Sequence, residues 1–305
     1  MGLTETSLSA RSSSARRNLY ACEALSDSVL LAAGRRPAEP SGGSLADGSF
    51  LRVGEDQCAM LVSGGRVADF CAVPGTYAFD SRKAAVPRPG PLKDQVLESW
   101  RQLSPAPGGP KPQRLYFANL RAVPGPDFES TVPFRLVSPA HRLDADVSLT
   151  CVGRFAYRVC DPVLFYTNVT GSVEDRFDNG ELNESLRREA VLQLRPVLAR
   201  LAEEGRPFSG RAAFCQAIAE GMKKELALFW PDLRGIAPET VTVSAVCAQG
   251  GEGELFDRWL AAGVSEASAY KDPREWFCPD CGAASTGNFC PQCGREKPGP
   301  WYGLI

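Results

Sequence analysis

Histidine is almost missing from this 305-residue chain, where His141 is the only one. A zinc hydrolase built on two histidines is therefore excluded, and a Ser-His-Asp or Cys-His nucleophile would have to use this single residue. His141 sits in Ser138-Pro139-Ala140-His141-Arg142, which reads as a turn before a strand, and no Gly-x-Ser-x-Gly elbow occurs anywhere. Phosphate-cradling loops and open metal sites are missing too, so the chain does not read as an enzyme. Long apolar runs are lacking: none approaches the roughly 20 residues that span a bilayer. Residues 1–20 hold no apolar stretch followed by a cleavage site, so they do not read as a secretory signal. Met1-Gly2-Leu3-Thr4-Glu5-Thr6 satisfies the N-myristoylation pattern, but the pattern is short enough for chance to account for it. Excess charge is absent as well, with 34 basic against 36 acidic residues, so the whole chain exerts no electrostatic pull on nucleic acid.

Cysteine is what the chain has in plenty, eleven in all. Seven are scattered (Cys22, Cys58, Cys71, Cys151, Cys160, Cys215 and Cys247) and read as reduced thiols in a cytoplasmic compartment. The other four stand in two copies of one phrase, Trp276-Phe277-Cys278-Pro279-Asp280-Cys281-Gly282 and Asn288-Phe289-Cys290-Pro291-Gln292-Cys293-Gly294. Two residues between cysteines let one tight turn aim both sulfurs at a single ion, and two such turns supply four thiolates for one tetrahedral Zn2+. Four protein ligands close the shell and leave no place for a catalytic water, so Cys278, Cys281, Cys290 and Cys293 read as a structural site. Two disulfides, or four free thiols, are the alternative.

Apolar periodicity divides the rest. Residues 1–46 read as flexible or loosely packed, with a short apolar segment at Val29–Ala33. Strand-like runs follow at 49–53, 57–62 and 66–70, separated by Gly54-Glu55-Asp56 and Ser63-Gly64-Gly65, and again at 114–120, 132–137 and 146–159. The period then changes. Leu182, Leu186, Ala190, Leu194, Val197, Leu198 and Leu201 form a helical stripe that Pro196 is expected to kink or divide. Ser209 can cap a second helix with Ala213, Phe214, Ala217, Ile218, Met222, Leu226 and Phe229 on its inner face. A strand at 240–246 and a helix at 252–262 close the region, giving an α+β domain over 47–265. A linker (266–275), the zinc ribbon (276–298) and a tail (299–305) complete the chain.

The residues carrying this pattern resemble those of a known superfamily. Asp47-Gly48-Ser49-x-Leu51-x-Val53-x-Glu55-Asp56-Gln57-Cys58-Ala59 is similar to the opening strand pair of the SPFH (Band 7) superfamily, the group of stomatins, prohibitins and flotillins. Gly65-Arg66-Val67-Ala68-Asp69-Phe70 with Pro74-Gly75-Thr76-Tyr77 resembles its Pro-Gly-x-Tyr hairpin, and Leu115-Tyr116-Phe117-Ala118-Asn119 stands where members carry a Val-Tyr-Phe-Phe-Asn-like strand. Gly153 to Asp161-Pro162 looks like the long strand that ends in Asp-Pro before the helix. A bacterial branch, some of whose members are labelled virion core protein-like, joins such a domain to a C-terminal double Cys-Pro-x-Cys-Gly ribbon. The resemblance implies a strand-rich SPFH-like domain with packed helices plus a small zinc ribbon. It also implies a non-enzymatic scaffold or adaptor at the inner face of the cell membrane, in membrane organisation or envelope stress, able to self-associate. Many members carry a hydrophobic anchor and a long coiled coil. Here there is no anchor and the stretch 181–229 is interrupted twice, which argues against autonomous insertion and large-cage assembly.

Two surfaces could carry partners. Residues 82–114 hold seven cations against Asp94 and Glu98, around an apolar stripe that includes Leu92, Val96, Leu97, Trp100 and Leu103. This reads first as a long hairpin connection whose helix covers the end of a sheet. The same Leu92, Val96, Trp100 and Leu103 also fit an interfacial helix facing anionic lipid. On the ribbon, Trp276 and Phe289, with Trp301 and Tyr302 beyond, are candidate protein contacts. Between Lys271 and Pro298 four cations balance four anions, and Zn2+ with four thiolates adds about −2. Phosphate binding needs the opposite sign. The ribbon's expected partners are therefore proteins, which the resemblance implies to be membrane-stress or membrane-organising ones, and the alternative is a soluble zinc-ribbon protein associated with nucleic acid. Asp144 and Asp146, an Asp-x-Asp, read as an exposed strand start.

Overall fold

The computed structural model of the chain describes residues 2–5, 19–22, 25–35, 48–80, 113–205, 207–267, 276–281 and 283–297. Short apolar runs punctuated by residues that tolerate positive φ make strands joined by tight turns. Asp56 (φ 54°) turns the chain between β4 (Phe50–Val53) and β5 (Gln57–Ser63). Gly64 and Gly65, at φ 58° and 78°, close the hairpin from β5 to β6 (Arg66–Cys71). β7 (Gly75–Asp80) and β8 (Gln113–Asn119) follow.

The first 46 residues are more ordered in part than their composition suggests. β1 (Gly2–Glu5) pairs with β7, β2 (Leu19–Ala21) runs parallel to β4, and β3 (Val29–Ala33) pairs with β8. Leu30 and Leu31 have no exposed surface. The expectation of a loosely packed segment therefore fails at 19–21 and at Leu25, while the short apolar segment at Val29–Ala33 is β3. Three to five residues are too few to display a period, and it is their neighbours that hold them as strands.

Two sheets result, in the orders β1-β7-β4-β2 and β11-β3-β8-β5-β6, where β11 is Arg176–Asp178. Tyr20, Leu51, Val53, Leu61, Tyr77, Phe79 and Phe117 fill the space between them. β5 and β8 are buried on both faces, because Met60, Val62, Tyr116 and Ala118 point instead into a second, larger core.

That larger core lies against a three-stranded antiparallel sheet, β12-β10-β9, built from Val123–Ser138 (β9), Leu143–Val159 (β10) and Ile236–Ala248 (β12). Alternation along β10 sends Val147, Leu149, Cys151, Phe155, Tyr157 and Val159 inward. Asp161 caps the short α1 (Pro162–Phe165), its Oδ1 accepting from Leu164 N at 2.9 Å. α2 (Gly180–Glu204) and α3 (Arg211–Arg234) cover the sheet, and α4 (Gly251–Ala267) closes one end. All seven stripe residues of α2 are buried.

Of the two outcomes expected at Pro196, a kink or a division, division does not occur: α2 runs unbroken through it. The proline withdraws a donor from the Leu192 carbonyl, but both residues are exposed, so water can replace the bond while Leu194, Val197 and Leu198 stay buried. Ser209 is not the cap of α3. Gly210, at φ 123°, takes that position, a conformation that favours glycine. Among the described residues no helix is long and apolar enough to cross a membrane.

Candidate metal centre

β13 (Trp276–Phe277) and β14 (Ala284–Ser285) pair antiparallel and carry the first knuckle between them. Cys278 N donates to Ala283 O at 2.9 Å. The second knuckle repeats the bond at the same spacing, Cys290 N donating to Arg295 O at 2.7 Å, and Gly294 makes its turn at φ 74°. Asp280 of one knuckle pairs with Arg295 of the other.

These turns bring the four sulfurs within 4.8 Å of one another. The Cys278–Cys293, Cys281–Cys290 and Cys281–Cys293 separations are 3.5, 3.4 and 3.6 Å. A tetrahedron with Zn–S bonds of about 2.3 Å has edges of about 3.8 Å, so the donor set fits such an ion. Its electrostatics fit as well. The Cys293 backbone N–H, with that of Gln292, holds the Cys290 thiol down to about 6. The Arg295 N–H acts the same way on Cys293, yet its hydrogen bonds with Cys278 and Cys290 leave that thiol pushed up to about 12. One thiolate is favoured here and a second beside it is not. A divalent cation reverses that balance by giving every sulfur an opposite charge to face.

Little else holds this module together. Among the described residues of 276–297 only Cys278, Ser285 and Cys290 are buried. Ser285 organises the turn, its Oγ donating to Phe289 O at 2.9 Å and accepting from Gly287 N at 3.2 Å. Cys281 and Cys293 are exposed, so one side of the sulfur cluster faces solvent.

The sequence named Trp276 and Phe289 as contact residues. Trp276 is only half exposed, and its Nε1 donates to Gly287 O at 2.7 Å, which gives it a job inside the ribbon. Phe289 is 61% exposed and Phe277, which the sequence reading passed over, is 67% exposed. Both precede the first cysteine of their knuckle, so aligning the two repeats would have found Phe277. Leu92, Val96, Trp100, Leu103, Trp301 and Tyr302 lie outside the described residues. Asp144 does lie exposed at the start of β10, held by Arg135 through two hydrogen bonds of 2.9 Å. His141 lies in a short turn with Nδ1 3.1 Å from Ser138 Oγ.

Outside the ribbon the thiols are of another kind. Cys58, Cys71, Cys151 and Cys215 are buried, and burial, with smaller effects from Cys215 and Cys247, pushes Cys151 up to about 12.

A family model described as SPFH domain-Band 7 family matches residues 41–247. The match spans β4 to β12 and stops short of the ribbon. No curated protein matches the sequence.

Proposed function

The chain belongs to the SPFH domain-Band 7 family, one of membrane-associated scaffolds that generally self-oligomerise, and from that premise we propose that it is itself a non-enzymatic scaffold or adaptor. On this reading it is cytoplasmic and rests peripherally on the inner face of the cell membrane, in membrane organisation or envelope stress. Its membrane contact comes through protein partners, with anionic lipid as a further contact. The SPFH-like body supports self-association. The ribbon binds one structural Zn2+ and is the docking module; the virion core protein-like branch that the sequence resembles carries a ribbon of the same pattern.

The observation that carries the docking role is the ribbon's economy. It buries almost nothing of its own, yet holds two phenylalanines in solvent at equivalent positions of its two knuckles. Exposed aromatics on a metal-held frame suit a protein surface, since aromatic anchors dominate such contacts. The described residues of 276–297 carry Asp280, Arg295, Glu296 and Lys297, so their charges cancel, and the metal with four thiolates leaves the module about −2. That sign opposes nucleic acid.

The test compares three intact chains as baits: wild type, Cys290→Ser/Cys293→Ser, and Phe277→Ser/Phe289→Ser. Elemental analysis should find one zinc in the first and third. Specific partners should be kept by wild type alone. Partners retained by both variants would remove the docking role from the ribbon. Retention of wild type on DNA at moderate salt would favour the nucleic-acid reading instead.

A further inference from the structure

The four sulfurs are not equivalent, and their inequality has a chemical direction. Cys278 and Cys290 are 2% and 3% exposed, whereas Cys281 and Cys293 are exposed and 3.6 Å apart. Each exposed cysteine closes its own knuckle, so the exposed pair spans the two turns. Building on the metal site proposed above, we propose that Cys281 and Cys293 form an oxidation site for hydrogen peroxide, which joins them in a disulfide and releases the metal.

The step balances with peroxide as oxidant. One exposed thiolate attacks a peroxide oxygen, so an S–O bond forms, the O–O bond breaks and hydroxide leaves. The neighbouring thiolate attacks the resulting sulfenic sulfur, so the S–S bond forms, the S–O bond breaks and a second hydroxide leaves. Two sulfurs lose one electron each, and peroxide takes up both. Forming a bond of about 2.05 Å from 3.6 Å requires an approach of about 1.5 Å. Both partners sit on turns at the surface, where such movement meets little packing.

Accessibility selects this pair. Cys290 lies nearer to Cys281, at 3.4 Å, but its sulfur is buried on the inner side of the cluster. Susceptibility follows thiolate character and exposure, and with every sulfur held as a thiolate by the metal, exposure decides. Elsewhere Cys58, Cys71, Cys151 and Cys215 are buried. Cys247 is exposed, and its thiol is hydrogen-bonded to the Thr150 carbonyl at 3.9 Å. Loss of two ligands leaves only Cys278 and Cys290 for the metal. With only Cys278, Ser285 and Cys290 buried among its described residues, the ribbon then loses its fold, because in such modules metal binding is the folding energy. The chain thus has a chemical release for its docking module that leaves the body intact.

The experiment uses the intact zinc-loaded chain and one equivalent of hydrogen peroxide, with a chromophoric chelator reporting free zinc. About one equivalent of zinc should appear while two thiols are lost. Chymotryptic cleavage after Phe289 separates the knuckles, and mass spectrometry should assign a Cys281–Cys293 link across them. Cys293→His keeps a zinc ligand and removes one oxidisable sulfur, so release should slow by on the order of tenfold. A link confined to one knuckle, a link through Cys278 or Cys290, or an unchanged rate in Cys293→His would overturn the proposal. A wild-type chain that carries no zinc as purified would overturn the metal reading itself, a different result from zinc that stays bound under peroxide.

Discussion

Gly153 lies in the middle of β10, where the pairing with β12 slips by one residue. Val152 faces Ala245 and Gly153 faces Val243, so Ser244 is the extra residue of a bulge. A methyl group at Gly153 would overlap the backbone carbonyl oxygen of Thr242 and stand 2.6 Å from Cζ and 3.1 Å from Cε1 of Phe128. Neither neighbour can yield cheaply. The oxygen belongs to β12, and the ring is 2% exposed within the larger core. Overpacking costs about 1–3 kcal/mol, and a clash with backbone places Gly153→Ala at the upper end, about 3 kcal/mol. For a domain of this size each kcal/mol lowers the melting midpoint by about 2–4 °C, so a drop of roughly 6–12 °C is expected by circular dichroism. Gly180→Ala supplies the opposite sign from the same chemistry. Nothing lies within 4 Å of its added methyl group, the residue opens α2, and the change should stabilise by up to about 1 kcal/mol. If the two variants melt alike, close approach of the strands is not why glycine stands at 153.

Glu189 accepts a 2.8 Å hydrogen bond from Trp230 Nε1 and pairs with Arg234. Glu189→Ala should cost about 1–3 kcal/mol by stranding both partners, and Glu189→Gln distinctly less in the same urea titration. Alkylation of the native chain should label Cys247 early and Cys151 only on unfolding, since burial holds Cys151 protonated. Equal labelling rates would contradict this. Arg135, through its hydrogen bond, holds the Asp144 carboxyl below the ordinary value. A depressed folded pKa means the pair contributes above the unfolded pKa and fades as pH falls through the folded one. In Arg135→Gln the Asp144 titration followed by carboxyl NMR should therefore move upward. Both groups are exposed, so the melting midpoint should barely change.

What could be read from the chain depended on how its residues advertise their surroundings. β4, β5, β6 and β8 were legible as apolar runs set off by turn residues, and the stripe of α2 because its spacing of three and four fixes both element and face. The cysteine cluster was plainer still, since two Cys-x2-Cys pairs have few uses other than bringing four sulfurs together. β2 was illegible for the converse reason, and β3 showed only as a short apolar segment: they are strands because β4, β8 and β11 pair with them. Pro196 did not divide α2, because helix propensity is local while the burial of Leu194, Val197 and Leu198 is not. Phe277 was hidden by Trp276 beside it, the larger ring and, as folded, the less exposed of the two.

The three residues buried among those described at 276–297 also determine what a melting experiment can see. The heat capacity of unfolding and the denaturant slope both scale with newly exposed surface. A module that hides two cysteines and a serine adds almost nothing to either. Heat and urea therefore report the SPFH body alone, and two preparations with superimposable transitions can differ completely in whether the ribbon is formed. Only a metal count or a signal from 276–297 separates them, so each functional comparison between variants needs one beside its melting curve.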